Sequence, residues 1–332
     1  MDKARLAAIA QASSVLFLMS LGSVLMKIVL YDVKPLTFAW LSVGVGMLTM
    51  SIYTFLVRRE TILFGFDRRI WLYIIAIGIC NFAISRISRP FALERLPVTT
   101  TTYVGNFIGF ITMGMSIFIL REVPSIFQVI GALIAFSGLR VYFSEAPSSY
   151  ELLGIMLIVV GIVAVAYTNN IARKLALITN NSISNNIIST LALLIGGTVT
   201  LALGLLLDWP PQVPSWKNWA IIIYSGVVMV GLGLTVWNHI LRTLRSYEAS
   251  ILGASTVIWT TLLAVIILGE RPLFNHIAGI FLMLVGLILV QVRRGRLDSL
   301  KPVLAFWPPT WLINATTRES KRPNPSQEEK TE

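Results

Sequence analysis

LREVPSIFQVIGALIAFSGL, residues 120–139, has a second copy in the same chain: LGERPLFNHIAGIFLMLVGL, residues 268–287. One offset, 148 residues, pairs Leu120 with Leu268, Glu122 with Glu270, Pro124 with Pro272, Gly131 with Gly279 and Gly138 with Gly286. The same offset lays FALERLPVTTTTYV (91–104) onto HILRTLRSYEASIL (239–252). The chain is therefore expected to be built twice from one plan, and the nature of its segments decides what that plan is.

The segments are apolar. The 332 residues are 55% hydrophobic and only 13% charged, with mean hydropathy +0.76. A water-soluble domain of this size needs more charge on its surface. Apolar runs of about twenty residues recur, the length of α-helix that crosses roughly 30 Å of hydrocarbon. Barrel strands would alternate apolar and polar residues over about ten positions, and these runs do not. The reading is an all-α polytopic membrane protein with ten transmembrane helices, at roughly 6–30, 35–57, 70–92, 97–120, 124–143, 151–171, 184–207, 217–241, 248–268 and 272–292. Pro35, Pro97, Pro124 and Pro272 are expected in first turns, where a missing N–H costs little. DWPPQVPSWKNW (208–219) reads as a loop, with tryptophans suited to the membrane interface. The opening thirty residues read as the first span rather than a cleaved signal.

Basic residues fix the expected orientation. One set of loops holds Lys3, Arg5, Arg58, Arg59, Arg68, Arg69, Arg121, Arg173, Lys174, Arg242, Arg245, Arg293, Arg294 and Arg296; the other holds Lys34, Arg95, Lys217 and Arg271. The positive-inside rule then puts both termini in the cytoplasm of an inner or plasma membrane. Five spans per half is an odd number, so two inverted five-helix repeats are expected, 6–143 and 151–292, followed by a polar, disordered cytoplasmic tail, 297–332. Inverted repeats provide alternating access around a site near the midplane. The net charge of +11 is explained by this loop bias, so no nucleic-acid partner is expected. One cysteine, Cys80, and two distant histidines, His239 and His276, leave no metal site, and no cofactor motif or enzyme motif (Walker A, HExxH, GxSxG) is present.

Five-plus-five spans, with a GE-x-P type segment closing each half, resemble the drug/metabolite transporter superfamily, in particular its EamA-type members. The matching pieces are FALERLPVTTTTYVGNF with REVPSIFQVIGALIAFSGL, and SYEASILGASTVIW with LGERPLFNHIAGIFLMLVG. Two departures stand out. Arg121 occupies the position of Gly269, and Arg86 and Arg89 have no basic counterpart in the second half. The resemblance implies transport of small metabolites, often export of amino acids or related compounds, without ATP hydrolysis.

Candidate residues follow. Glu122 and Glu270 are expected to cap the helices they precede, where a carboxylate meets free N–H groups and the positive end of the dipole; proton coupling is the alternative. Arg86 and Arg89 lie late in the third span, where a charge in hydrocarbon costs about 2.5–3.5 kcal/mol on insertion scales. They either snorkel to the outer headgroups, face a central cavity and bind a carboxylate or phosphate, or pair with Glu94 or another acid. Lys27 either snorkels or faces the cavity. The expected substrate-binding set is Arg86, Arg89, Asn81, Tyr103, Asn106, Trp237, Asn238, His239 and Trp259. Gly131, Gly138, Gly279 and Gly286 are expected to mark close helix contacts. The expected partners are a small-molecule substrate, the lipid bilayer and, as a coupling ion, protons. The expected function is secondary-active export of a small polar metabolite, amino acid-like or a carboxylate. An exporter of lipophilic or drug-like compounds and a non-transporting scaffold or sensor remain as alternatives.

Overall fold

The computed structural model describes residues 3–60, 65–121, 124–180, 182–232 and 253–290. They form helices and connecting turns, with no strand among the described residues. In chain order these are α1 (Lys3–Val29); α2 (Pro35–Ser51), continued by a π-type coil Ile52–Val57; α3 (Arg68–Ile77), a π-type stretch Gly78–Ile84, and α4 (Ser85–Arg95); α5 (Val98–Gly105); α6 (Ile108–Ile119); α7 (Ile126–Tyr142); α8 (Ser149–Ile178); and α9 (Asn185–Leu207). Then come α10 (Trp216–Tyr224), continued by π-type Ser225–Leu232; α11 (Thr256–Leu263), continued by π-type Ala264–Leu268; and α12 (Phe274–Val290). Among the described residues, six helical stretches are long and apolar enough to cross a membrane: Gln11–Val29, Pro35–Val57, Arg68–Arg95, Val98–Ile119, Ser149–Ile178 and Asn185–Leu207. Ile126–Tyr142, Thr256–Leu268 and Phe274–Val290 are apolar but shorter.

Local chemistry sets most helix starts. Ser125 and Ser148 each form a reciprocal capping box, with Gln128 and Glu151. Ser184 and Ser215 cap α9 and α10 through their hydroxyls. Of the four prolines expected in first turns, only Pro35 sits there. Pro97 is the N-cap residue of α5, and Pro124 and Pro272 lie before helices that begin at Ile126 and Phe274. For α7 the reason is the Ser125 box, which places the first turn after the proline. Pro90 lies inside α4, which runs on to Arg95.

Without water between helices, packing rather than hydrophobic transfer holds such a bundle together, so close backbone approach matters. α7 and α12 form an antiparallel pair in which Gly131 meets Gly286 and Gly138 meets Gly279. A Cβ added at Gly286 would lie 2.4 Å from the Gly131 carbonyl oxygen. The four expected glycines thus do make the close contacts. Gly196 of α9 lies against the backbone of Gly78, and Gly46 of α2 against Val230 and Gly226. Among the described residues, three apolar clusters pack the bundle: one around Ile74, Phe82, Leu175 and Leu193, one around Tyr103, Phe107, Tyr142 and Met283, and one around Val24, Phe38, Leu93 and Ile222. Large apolar side chains such as Leu133, Phe136 and Phe281 point outward, as a lipid-facing surface requires.

Several irregularities recur at the 148-residue offset. π-type coils start at Gly78 and just before Gly226. The α5–α6 break at Asn106 and Phe107 matches the turn at Ser255. Arg121 and Gly269 both adopt positive φ, 56° and 68°. Glu60 accepts a hydrogen bond from Asn186 at the start of α9, 2.9 Å. Its counterpart Asp208 accepts from Thr37 and Trp40 in the first turns of α2, 2.6 and 3.0 Å.

Candidate functional site

Arg86 and Arg89 sit one turn apart on α4, close enough for their side chains to be neighbours. Both are half-buried. Arg86 lies nine residues before the end of α4, about 14 Å along a helix rising about 1.5 Å per residue. Neither guanidinium turns to the helix end. Arg86 Nη2 donates to the carbonyl of Met229, 3.0 Å, in the π-type stretch after α10. A π-type coil is widened and shifts its carbonyls out of the α-helical register, and such coils recur at functional sites. Arg89 Nη2 donates to Ser23 Oγ on α1, 2.9 Å, and Ser23 in turn donates to the Met19 carbonyl. Arg89 Nε is buried with no partner among the described residues.

The three elements converge because α1 is small where they meet. A Cβ added to Gly22 would lie 2.4 Å from Met229 Sδ, so the thioether rests on the α1 backbone beside Ser23. Both guanidinium groups are bonded to neighbouring helical elements, and Glu94, an acid considered as their partner, is engaged with Arg95 at 2.6 Å. Among the described residues neither arginine has a carboxylate partner, so two adjacent cations face only a carbonyl and a hydroxyl.

Lys27 does something the sequence reading did not foresee. Its Nζ donates to the carbonyls of Leu93, Glu94 and Leu96, 2.6, 3.3 and 3.0 Å. These are unpaired carbonyls at the C-terminus of α4, where a cation also meets the negative end of the helix dipole. Glu270 holds the other side of the same bend. Its Oε1 accepts from Val98 N–H at 2.6 Å, and its Oε2 from Thr99 N–H and Oγ1 at 3.2 and 2.7 Å. The expectation that Glu270 caps its own helix is corrected: it caps α5. α12 begins only at Phe274, too far along for Glu270 to serve its first turn, and Leu273 N–H is taken by His276 Nδ1.

The remaining candidates are placed as follows. Asn81 is half-buried in the π-type stretch before α4. Tyr103 is fully buried and stacked on Tyr142 at 4.0 Å, with its hydroxyl unpartnered among the described residues. Asn106 spends its amide on the Thr102 carbonyl at the α5–α6 break. Trp259 packs edge-on against Phe17 of α1, 5.6 Å between centroids. Tyr103, Asn106 and Trp259 thus make packing or local contacts, none of them with Arg86 or Arg89. Trp237, Asn238, His239 and Glu122 lie outside the described residues. A separate cavity of about 290 Å³ lies at the Leu96–Pro97 end, lined by Thr100, Tyr142, Glu145, Asn275 and His276 among others.

Sequence reasoning missed Ser23 and Met229, the acceptors of the two arginines. Ser23 had a readable signal in the Gly22–Ser23 pair, a small-residue step in the apolar second half of α1. A main-chain acceptor such as Met229 leaves no signal in residue identity.

Comparison with known proteins adds a frame. The profile described as the EamA-like transporter family matches residues 6–144 and again residues 152–292. A protein of Clostridium kluyveri described as an uncharacterized transporter is 22% identical over 243 residues, covering 70% of this chain and 75% of its own. A protein of known crystal structure, described only as a protein, superposes with TM-score 0.60 at 17% identity, over 88% of this chain and 99% of its own, which is a likeness of fold.

Proposed function

The chain belongs to the EamA-like transporter family, and from that membership we propose that it is a secondary-active exporter of a small polar metabolite, amino acid-like or a carboxylate. It is an integral membrane protein and a transporter of some substrate. The export direction, the substrate and alternating access between two inverted five-helix halves are the proposal. The family profile matching twice supports the repeat, as do the features recurring 148 residues apart: the π-type coils, the positive-φ residues and the crossed pairs Glu60–Asn186 and Asp208–Thr37. Inverted halves of this kind exchange conformation around a shared site.

The observation that carries the substrate reading is the inward basic pair. Among the described residues Arg86 and Arg89 meet only neutral acceptors, and a forked guanidinium is suited to a carboxylate. With both termini cytoplasmic, the pair lies toward the outer half of the bundle. The driving force is a gradient of substrate or of protons.

An efflux screen tests this. Proteoliposomes are loaded with labelled amino acids, carboxylates and lipophilic cations, and wild type is compared with the Arg86→Gln/Arg89→Gln variant. Carboxylate efflux through wild type, lost in a folded double variant, supports the proposal. Efflux confined to lipophilic compounds and equal in both proteins sinks it in favour of a drug-like exporter. No efflux of any class leaves a scaffold or sensor.

A further inference from the structure

We infer that the Arg86–Arg89 pair selects a doubly charged anion, one whose oxygens displace the Met229 carbonyl and the Ser23 hydroxyl. This rests on the transport reading above and sharpens it, because that reading admits zwitterionic amino acids.

The argument is a charge count. Among the described residues, other charged groups of the bundle have partners of their own. Lys27 is held by three carbonyls at the end of α4. Glu94 is engaged by Arg95, Glu270 by the start of α5, Asp208 by Thr37 and Trp40, and Glu60 by Asn186. Arg86 and Arg89 bring two adjacent positive charges together with no carboxylate partner among the described residues. Burying like charges side by side is unfavourable unless each is matched by an opposite charge with good hydrogen-bond geometry. A carbonyl and a hydroxyl are partial dipoles, and Arg89 Nε has no acceptor at all among the described residues. A monoanion neutralises half the pair. A zwitterion also brings an ammonium beside two guanidiniums. A dicarboxylate or a phosphomonoester matches both charges and supplies enough acceptor oxygens for two forks.

Matched ligand pairs test the charge while holding shape nearly constant. Binding to purified wild type in detergent is measured for succinate against succinamate, and for methyl phosphate against dimethyl phosphate, at a pH where each first member is a dianion. The expected result is about tenfold or more tighter binding of the dianion in at least one pair. In Arg86→Gln and in Arg89→Gln the ratio is expected to fall to about twofold. If either variant fails to fold, Arg86→Lys and Arg89→Lys keep the charge and are expected to keep most of the ratio while weakening both ligands. Equal binding within both pairs, with binding still lost in the Gln variants, overturns the dianion inference and leaves the anionic transport reading standing. A ratio that survives both Gln substitutions also overturns the inference. Absence of binding by all four anions overturns the inference together with the anionic part of the proposed function.

Discussion

Glu270 takes both the main-chain N–H and the side-chain hydroxyl of Thr99, at 3.2 and 2.7 Å, although the two residues lie 171 positions apart. With the Val98 N–H as a third donor, one carboxylate satisfies the start of α5. Lys27 satisfies the end of α4 on the other side of the bend, so the turn at Leu96–Pro97 is gripped by opposite charges from two distant parts of the chain. Hydrogen bonds to a charged group contribute about 1.5–3 kcal/mol, and stranding buried donors costs about 1–3 kcal/mol. Glu270→Ala is expected to destabilise by about 2–3 kcal/mol and Glu270→Gln by less, since the amide oxygen keeps one acceptor. Lys27→Met is expected to cost a similar amount, and the double variant less than the sum, because both act on one bend. Thermal unfolding in a fixed detergent measures all three; strict additivity contradicts the shared grip.

The antiparallel pair of α7 and α12 depends on having no side chain at its crossings. Gly286→Ala would bring a methyl group 2.4 Å from the Gly131 carbonyl and is expected to cost about 1–3 kcal/mol. Gly114→Ala, in α6 with open space around it, is expected to be neutral or to stabilise by about 0.5–1 kcal/mol. Unfolding midpoints of the two variants should move apart. Equal shifts would mean that the crossings are looser than the geometry implies.

Arg121 and its offset partner Gly269 share a left-handed backbone, at φ 56° and 68°. A side-chain-bearing residue pays about 1–2 kcal/mol for that conformation. Arg121→Gly is therefore expected to raise stability by about 0.5–1 kcal/mol after the added freedom of the unfolded chain is counted. Gly269→Ala is expected to lower it by about 1 kcal/mol. A loss on Arg121→Gly would mean that the arginine side chain makes a contact worth more than the strain.

What was legible in the sequence was what repeats or punctuates. The apolar runs pointed to an all-helical chain, and the glycines spaced seven apart pointed to close helix contacts, though not to which helices make them. Pro35 marked a helix start, but the other prolines marked only approximate breaks, and at Pro124 the cap at Ser125 places the first turn after the proline. The roles of Glu270 and Lys27 were hidden, since each serves a helix that its own sequence neighbours do not form. Large aromatics in an apolar segment, such as Tyr103 and Trp259, suit packing and binding equally, and their ring partners, Tyr142 and Phe17, appear only in three dimensions. The π-type coil that presents the Met229 carbonyl to Arg86 was equally invisible, because no residue type encodes it.

Counterflow is the most direct test of a carrier whose substrate site holds Arg86 and Arg89. Proteoliposomes are preloaded with an unlabelled carboxylate that the protein binds, diluted, and offered a trace of the labelled compound outside. Alternating access through a single site predicts a transient overshoot of label inside wild-type vesicles and none with Arg86→Gln/Arg89→Gln reconstituted to the same density. Label that merely equilibrates without overshoot, at the same rate in both proteins, would contradict the account.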